Sequence, residues 1–268
     1  MGRSWVVVLG LAAGLSGCAS SSVFVADTPA SPFSCEQRTP ELFVLNGEID
    51  DGLRDCVRDR YRDTTTHVLL NSQGGSVEHA LDIAERFEGR RLTMRVEEKC
   101  NSSCANYFLP LAGRIEVAPG ATILLHGSID ANYVGQLIED RHVFMAMQRD
   151  KGLSEVRASE LFDRQLAGSK ALAARQATFA ARNALLPGWL LYREVGSNEV
   201  VGLSAGRRWG PARSGGIVEE PMLRSCLPGV EIVPFQADLD RHWARSFRRL
   251  GLMWAGISLS GSAVCEPT

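Results

Sequence analysis

A glycine pair, a serine and a histidine occur in this chain in an order that could support acyl transfer. The pair Gly74-Gly75 follows one apolar segment, Ser103 stands at a predicted helix start, and His126 ends a second apolar segment. Acyl transfer needs a nucleophile, a base that removes its proton, and backbone N–H groups that stabilise the oxyanion. Each feature alone has an ordinary structural role, as a turn, a helix cap or a hydrogen-bonded histidine. Together they make Ser103 the candidate nucleophile and His126 the candidate general base.

The same residues supply candidate oxyanion donors. The first backbone N–H groups of a helix have no partner within the helix, so the amide of Cys104, directly after Ser103, is one candidate. Glycine has no Cβ and lets the backbone approach a substrate closely, so the amides of Gly74 and Gly75 are the others.

Predicted strands and helices alternate around these residues. The apolar run at 67–70 ends at the glycine pair, and Ser76 can then cap a helix, which predicts strand, glycine turn and helix. Other strands are predicted at 41–45, 92–96, 115–117 and 122–126, and other helices at 51–62 and from 102 or 103 to 112. This order favours an α/β fold with a mainly parallel sheet.

The second half of the chain carries weaker signals. Residues 133–186 are rich in Ala, Leu, Arg and Glu and predict two or more helices, with breaks near Gly152 and, as a second position, Gly168. From Pro187 onward, glycines, prolines and tryptophans indicate loops and short strands, and residues 238–250 predict an amphipathic helix.

The first residues have the pattern of an export signal. Arg3 precedes an apolar run that is too short for a membrane span, and Leu15-Ser16-Gly17-Cys18 follows it and resembles a lipobox. That resemblance implies a signal peptide at 1–17, a lipid on Cys18, and a tether at 18–34. Ala19 resembles the signal for the outer membrane, so we expect an anchored protein that faces the periplasm. The alternative is an ordinary secretory peptide with an incidental cysteine.

The remaining cysteines fit an oxidising compartment. The chain has seven, so six remain when Cys18 is set aside. An even number in an exported protein suggests disulfides, and proximity in sequence favours Cys35 with Cys56 and Cys226 with Cys265. Cys100 and Cys104 could form a third bridge; a metal site there lacks a second ligand pair.

A formal net charge of -2 and the lack of a basic stripe give no reason to propose nucleic acid. No ATP-binding motif is present in the sequence, and we expect no cofactor and no metal.

Four sequence blocks resemble the proteolytic subunit of the Clp protease, within the wider ClpP/crotonase superfamily. They are LNGEIDD at 45–51, LLNSQGGSV at 69–77, SSCANYFL at 102–109 and ILLH at 123–126. The resemblance implies a ClpP/crotonase-like domain at 35–206, with flanking helices, followed by a C-terminal extension at 207–268. It also implies Ser103 as nucleophile, His126 as base, and the Gly75 and Cys104 amides as the oxyanion hole.

The family also has an acidic residue that orients the histidine. Glu194 is the candidate for it here, with Asp163 and Asn198 behind it. Two features depart from the family pattern. Gln73 replaces a proline, and the small residues beside the nucleophile are replaced by Ser102, Cys104 and Asn106. Cys104 could itself be a nucleophile, because a helix start lowers the pKa of a thiol.

Three functions follow from the resemblance. The first is a membrane-anchored serine peptidase or related hydrolase that acts on a peptide or protein substrate, and that could form a homo-oligomer. The second is a non-catalytic binding or scaffold lipoprotein with the same fold. The third is an acyl-thioester enzyme of the crotonase type, which is disfavoured because crotonases do not use a serine and a histidine at these positions.

Overall fold

A computed structural model of the chain describes residues 34–125, 127–190, 216–236, 258–259 and 265. The described residues build one mixed sheet with helices packed against it. The strands are β1 (Ser34–Gln37), β2 (Leu42–Asn46), β3 (His67–Ser72), β4 (Leu92–Asn101), β5 (Ala112–Val117), β6 (Thr122–Leu125), β7 (Gly216–Val218), β8 (Glu231–Ile232) and β9 (Ser258–Leu259). The helices are α1 (Asp51–Arg60), α2 (Val77–Phe87), α3 (Ser103–Tyr107), α4 (Ala131–Glu139), α5 (Arg141–Asp150), α6 (Glu155–Arg182), α7 (Pro187–Leu190) and α8 (Glu220–Cys226).

The sheet is mainly parallel. Its order is β1-β2-β3-β4-β6-β7-β9, and only the β1–β2 and β6–β7 pairs are antiparallel among the described strands. Parallel neighbours joined by helices are the arrangement that alternating strand and helix signals predict. The prediction of an α/β fold with a mainly parallel sheet and flanking helices is therefore confirmed.

Strand β4 divides the sheet. Its first half, Leu92–Val96, pairs with β5, whereas its last residues, Lys99–Asn101, pair with β6. β6 also pairs with β7, and β7 with β9, so residues beyond position 215 belong to the same sheet. The fork places the end of β4 beside the end of β6, which is where the candidate residues of the sequence analysis occur.

Burial of apolar faces explains why these elements form. Val68, Leu70 and Ser72 of β3 are buried, and the alternating residues are more exposed, as expected of a pleated strand. α2 begins with Ser76 as the predicted cap, whose side chain accepts from the N–H of His79, and its apolar face joins the main core.

Charged side chains fix the long helix α6 against α2. Arg175 lies 2.7 Å from Asp82 and 2.9 Å from Glu85, and Arg182 lies 2.6 Å from Glu88. These partly exposed pairs each contribute little free energy, but together they fix the position of α6.

Two helix predictions differ from the structure. The helix predicted to reach residue 112 ends at Tyr107, because Pro110 ends the helical backbone bonding; a 3₁₀ turn covers Leu109–Leu111 and β5 begins at Ala112. Gly168 lies inside an unbroken α6, so the second predicted break is wrong, whereas Gly152 adopts a φ of +83° in the link between α5 and α6.

Three disulfides join the six described cysteines. The Cα atoms are 6.1 Å apart in Cys35–Cys56, 5.3 Å apart in Cys100–Cys104, and 5.0 Å apart in Cys226–Cys265. Both pairings expected from proximity are confirmed, and the third bridge joins the end of β4 to α3. Across the described ranges, we find no helix with the length and apolarity to cross a bilayer.

Candidate active site

Ser103 stands at a sharp junction between a strand and a helix. β4 ends at Asn101, Ser102 turns the chain with φ +57° and ψ -129°, and α3 begins at Ser103. A non-glycine residue in this conformation costs on the order of 1–3 kcal/mol and persists only when its surroundings hold it. The N–H of Ser102 provides one such restraint, because it donates to the carbonyl of Leu124 in β6 at 2.7 Å.

The glycine turn packs against the segment that follows β2. The N–H of Ile49 donates to Gly74 O and the N–H of Ser76 donates to Ile49 O, both at 2.8 Å, so Ile49 and Gly75 form a parallel bridge. A Cβ on Gly75 would lie 2.3 Å from Ile49 O, and the φ of this residue is +151°. Only glycine fits there without a shift of the backbone.

Gly75 and Ser103 contact each other directly. The N–H of Gly75 donates to Ser103 Oγ at 2.9 Å, and the Ser103 hydroxyl donates to Gly75 O at 3.2 Å. Ser103 is only 1% exposed. The structure therefore brings together two of the predicted site residues, the serine and one candidate oxyanion donor.

Gly74 is oriented differently from Gly75. Its N–H donates to Ser72 Oγ at 3.1 Å, within the turn, and not to Ser103. A Cβ on Gly74 would lie 2.6 Å from Asn101 O and 2.7 Å from the Cβ of Ser102. Gly74 thus allows the turn to pack against the end of β4, and its amide is engaged inside the turn.

Cys104 supplies the amide that follows the serine. Its side chain is buried and bonded to Cys100, so no free thiol is present at this position and Cys104 cannot act as a nucleophile in this state. Its N–H lies in the first turn of α3, where backbone amides have no acceptor within the helix. A buried amide of this kind is available to an additional acceptor.

His126 lies outside the described residues, but its neighbours on both sides are described. Leu125 is the last residue of β6, and β6 is paired with the end of β4. Gly127 O accepts a 3.1 Å hydrogen bond from Nδ2 of Asn106 in α3. The chain before and after position 126 is therefore attached to the serine-bearing junction.

Of the three predicted orienting residues, the structure describes only Asp163. Glu194 and Asn198 lie outside the described residues. Asp163 is exposed on α6, beside Phe162, which belongs to a separate small cluster with Met145 and Ala158.

A buried chain of hydrogen bonds links α3 to α6 and α7. It was not predicted from the sequence. Tyr107 OH donates to Gln176 Oε1 at 2.5 Å, Gln176 Nε2 donates to Ser128 Oγ at 3.1 Å, and Ser128 Oγ donates to Leu190 O at 2.8 Å. Burial raises the pKa of the Tyr107 hydroxyl well above its ordinary value, and the charge of Asp130 adds to this. A lone glutamine in a long helix gives no sequence signal of such a contact.

Asn106 was noted in the sequence only as a departure from the family pattern, and no role was predicted for it. Its backbone N–H donates to Ser102 O at 2.9 Å, and its backbone carbonyl accepts from Trp189 Nε1 at 3.1 Å. Its position three residues after the candidate nucleophile, on the same helix, was the signal that could have identified it.

Comparison with known proteins gives structural neighbours only. Neither a family model nor a curated protein matches the chain. Among solved structures, it is similar to a mutant of ClpP1 from Listeria monocytogenes, with 17% identity, a TM-score of 0.29, and coverage of 45% of this chain and 78% of the other. It is also similar to an enoyl-CoA hydratase from Shewanella pealeana ATCC 700345, with 9% identity, a TM-score of 0.28, and coverage of 57% and 80%.

The arrangement suits chemistry by side chains and backbone amides. In the described part of the chain, no three His, Cys, Asp or Glu side chains are grouped as metal ligands. The described components of the site are a serine hydroxyl, the Gly75 N–H and the Cys104 N–H, which are a candidate nucleophile and two candidate donors for an oxyanion.

Proposed function

We propose that the chain is a serine hydrolase, of the peptidase type, in which Ser103 is the nucleophile and His126 is the general base. The observation that carries the proposal is the 2.9 Å hydrogen bond from the Gly75 N–H to Ser103 Oγ at the start of α3. An amide that lies this close to a nucleophilic oxygen also lies close to the carbonyl that this oxygen would attack. Gly75 and Cys104 therefore supply the oxyanion donors, and Gly74 does not.

The resting hydroxyl must turn before it can react. Its proton is directed at Gly75 O, so a rotation about the Ser103 side chain is needed to place the O–H toward a base. The same rotation frees the Gly75 N–H for the substrate. Ser103 Oγ then attacks the carbonyl carbon while His126 takes the hydroxyl proton, and the two amides stabilise the oxyanion. His126 next gives the proton to the leaving amine, and water hydrolyses the acyl-enzyme.

Covalent connectivity supports the role of His126. Consecutive Cα atoms are ~3.8 Å apart, so position 126 cannot lie far from Leu125 and Gly127. Leu125 follows Leu124, which accepts from Ser102, and Gly127 accepts from Asn106. The described neighbours of His126 are therefore hydrogen-bonded to the segment that carries Ser103, and this supports the proposed role.

We further propose that this hydrolase acts in the cell envelope on peptide or protein substrates. The three disulfides support an oxidising compartment, and the lipobox-like segment supports a lipid on Cys18, at the outer membrane and facing the periplasm. Metabolic labelling with a fatty-acid analogue tests the anchor: the parent chain takes up the label and Cys18→Ser does not. Mass measurement of the detergent-extracted chain tests whether it forms a homo-oligomer.

The activity test uses a fluorophosphonate, which reacts with an activated serine. The detergent-extracted full chain is treated with the probe and its intact mass is measured, beside Ser103→Ala, His126→Ala and, as a matched control, Ser159→Ala on α6. One adduct in the parent and the control, and none in the two site variants, is the expected result. An adduct that persists in Ser103→Ala contradicts the proposal.

One observation favours the alternative, a non-catalytic binding or scaffold lipoprotein. Ser103 is 1% exposed, and its hydroxyl both donates to and accepts from Gly75. In this alternative, the hydrogen bonds of Ser103 join the glycine turn to α3, and the serine takes no part in catalysis. Absence of any adduct in folded, oxidised protein, even after long exposure to the probe, supports this second function.

A further inference from the structure

The Cys100–Cys104 disulfide spans the candidate nucleophile. The Cα atoms of the two cysteines are 5.3 Å apart, and Asn101, Ser102 and Ser103 lie between them in the chain. Both cysteines are 0% exposed and belong to the main core. The bridge therefore fixes the two ends of the turn that presents Ser103.

Cys100 connects this turn to two neighbouring strands. In the sheet register it is opposite Ser72 of β3 on one side and opposite Ile123 of β6 on the other. Ser72 leads into the glycine turn, where its Oγ accepts from the N–H of Gly74. Through the bridge, Cys104 and the start of α3 are held against the strand that enters the glycine turn and against β6.

α3 cannot hold its own start. It has only five residues, and a helix this short is not stable by itself. Its N-cap, Ser102, makes no side-chain cap hydrogen bond and has φ +57° and ψ -129°, which is strained for a residue with a Cβ. Backbone hydrogen bonds with Leu124 and Asn106 restrain this turn. The bridge adds a covalent restraint across it.

We propose that the Cys100–Cys104 bridge is the positioning element of the site: by holding the strained turn at Ser102, it keeps Ser103 Oγ on the Gly75 N–H. This inference rests on the proposed function. It makes the hydrolase dependent on oxidation. A chain with two thiols at these positions forms its sheet, but Ser103 is free to move away from Gly75 and reacts slowly.

Closure of the bridge is an oxidation by thiol–disulfide exchange. The thiolate of one cysteine attacks a disulfide of an oxidant, which forms a mixed disulfide and releases one thiolate of the oxidant. The thiolate of the other cysteine then attacks the chain's own sulfur in the mixed disulfide and releases the second thiolate. The two cysteines lose two electrons and two protons, and the oxidant's disulfide becomes a dithiol. Because both cysteines are buried in the folded chain, we expect this exchange to precede the packing of α3.

Two double variants separate the local effect of this bridge from a general loss of stability. Cys100→Ala with Cys104→Ala removes the bridge, and Cys35→Ala with Cys56→Ala is the matched control. The control bridge closes a sequence separation of 21 against 4, so its loss should lower the unfolding temperature more. The rate of fluorophosphonate labelling is measured against pH for each full-length chain in detergent, and thermal unfolding shows that each is folded.

We expect the variant without the Cys100–Cys104 bridge to label about 10-fold to 100-fold more slowly than the parent at every pH, because Ser103 is misplaced. Its pH midpoint should stay that of the parent, since the general base is not altered. The control should label at the parent rate although it is the less stable of the two variants.

A second measurement does not depend on catalysis. NMR of the glycine-labelled chain gives the hydrogen-exchange rate of the Gly75 amide, which donates to Ser103 Oγ. We expect this exchange to be faster in the variant without the Cys100–Cys104 bridge than in the parent, and unchanged in the control.

Ser102→Gly, added to the variant without the Cys100–Cys104 bridge, tests the role of the strained turn. Glycine adopts a positive φ without a Cβ penalty, so the turn needs less restraint. Part of the labelling rate and of the slow Gly75 exchange should therefore return. The same triple variant supplies the measurement if the double variant does not fold.

Three results overturn the proposal. One is labelling and Gly75 exchange like those of the parent in the variant without the Cys100–Cys104 bridge, and a second is an equal loss of labelling in the control. The third is the absence of any recovery with Ser102→Gly. Failure of the parent to label would remove the proposed hydrolase, and the Gly75 exchange rates would then still decide whether the bridge holds the turn.

Discussion

The backbone N–H of Gly75 lies 2.9 Å from Oγ of Ser103, although 28 positions separate the two residues. The contact joins two strand-turn-helix units: the turn after β3 and the turn after β4. Both turns are held by backbone that tolerates little change, since Gly75 packs on Ile49 and Ser102 has a positive φ. This contact is the structural basis of the proposed site and suggests where substitution should be most damaging.

Gly75→Ala should destabilise the fold and abolish labelling of Ser103. The added Cβ would lie 2.3 Å from Ile49 O, and backbone atoms on both sides would have to move, at a cost of about 3 kcal/mol or more. Gly168→Ala is the matched control: it lies on α6 with nothing within 4 Å of the added Cβ, and should gain about 0.5–1 kcal/mol. Urea unfolding measures both changes, and equal effects of the two substitutions would contradict the expected packing.

The disulfides should differ in their contribution to stability. Cys100–Cys104 closes a sequence separation of 4 and Cys226–Cys265 one of 39. Loop-closure entropy then predicts a loss of about 2 kcal/mol when the first pair is replaced by alanines and about 4 kcal/mol for the second. Urea unfolding of the two double variants under oxidising conditions tests the order. A larger loss for the short bridge would show that its main effect is on the folded turn at Ser103.

Gln176→Leu should cost roughly 1–3 kcal/mol, because it leaves the buried Tyr107 hydroxyl without its acceptor. Adding Tyr107→Phe should restore part of the loss, so the two substitutions should be less than additive. Gln165→Leu, an exposed position on the same helix, is the control and should change the free energy of unfolding by no more than about 0.5 kcal/mol. Full additivity in the double variant would contradict the hydrogen bond.

Stability should fall at alkaline pH in a way that depends on Tyr107. Burial raises the pKa of Tyr107 above its ordinary value of 10.0, so the folded chain keeps a proton that the unfolded chain loses. The stabilising effect is complete below about pH 10 and is lost as pH rises from there through the higher folded pKa. Tyr61 acts in the same direction, because burial raises its pKa too.

The check is urea unfolding of the parent and of Tyr107→Phe between about pH 9 and 11. Above pH 10 the parent should lose free energy of unfolding more steeply, by up to about 1.4 kcal/mol per pH unit, than the variant. Parallel curves for the two proteins would show that Tyr107 ionises as easily in the folded chain as in the unfolded one.

Much of the fold could be predicted because its signals are local. The apolar run of β3, the glycine turn and the Ser76 cap are consecutive in sequence, and each has one favoured conformation. The disulfide partners of Cys35 and Cys226 followed from proximity along the chain. Where local signals competed, as at Pro110 and Gly168, the predicted helix boundaries were wrong. A proline imposes its limit on any helix, whereas an interior glycine is tolerated when packing and ion pairs hold the helix on both sides.

The sequence by itself determined the candidate residues of the site, since the glycine pair and Ser103 stand at recognisable turns. Only the tertiary structure decided that Gly75, and not Gly74, faces the serine, because the bridge to Ile49 sets the direction of each amide. It also brought Asn106 to Gly127 and Gln176 to Tyr107, over separations of 21 and 69 residues. Hydrogen bonds are directional, and their direction between distant segments depends on how the strands pair and the helices pack, which no local pattern specifies.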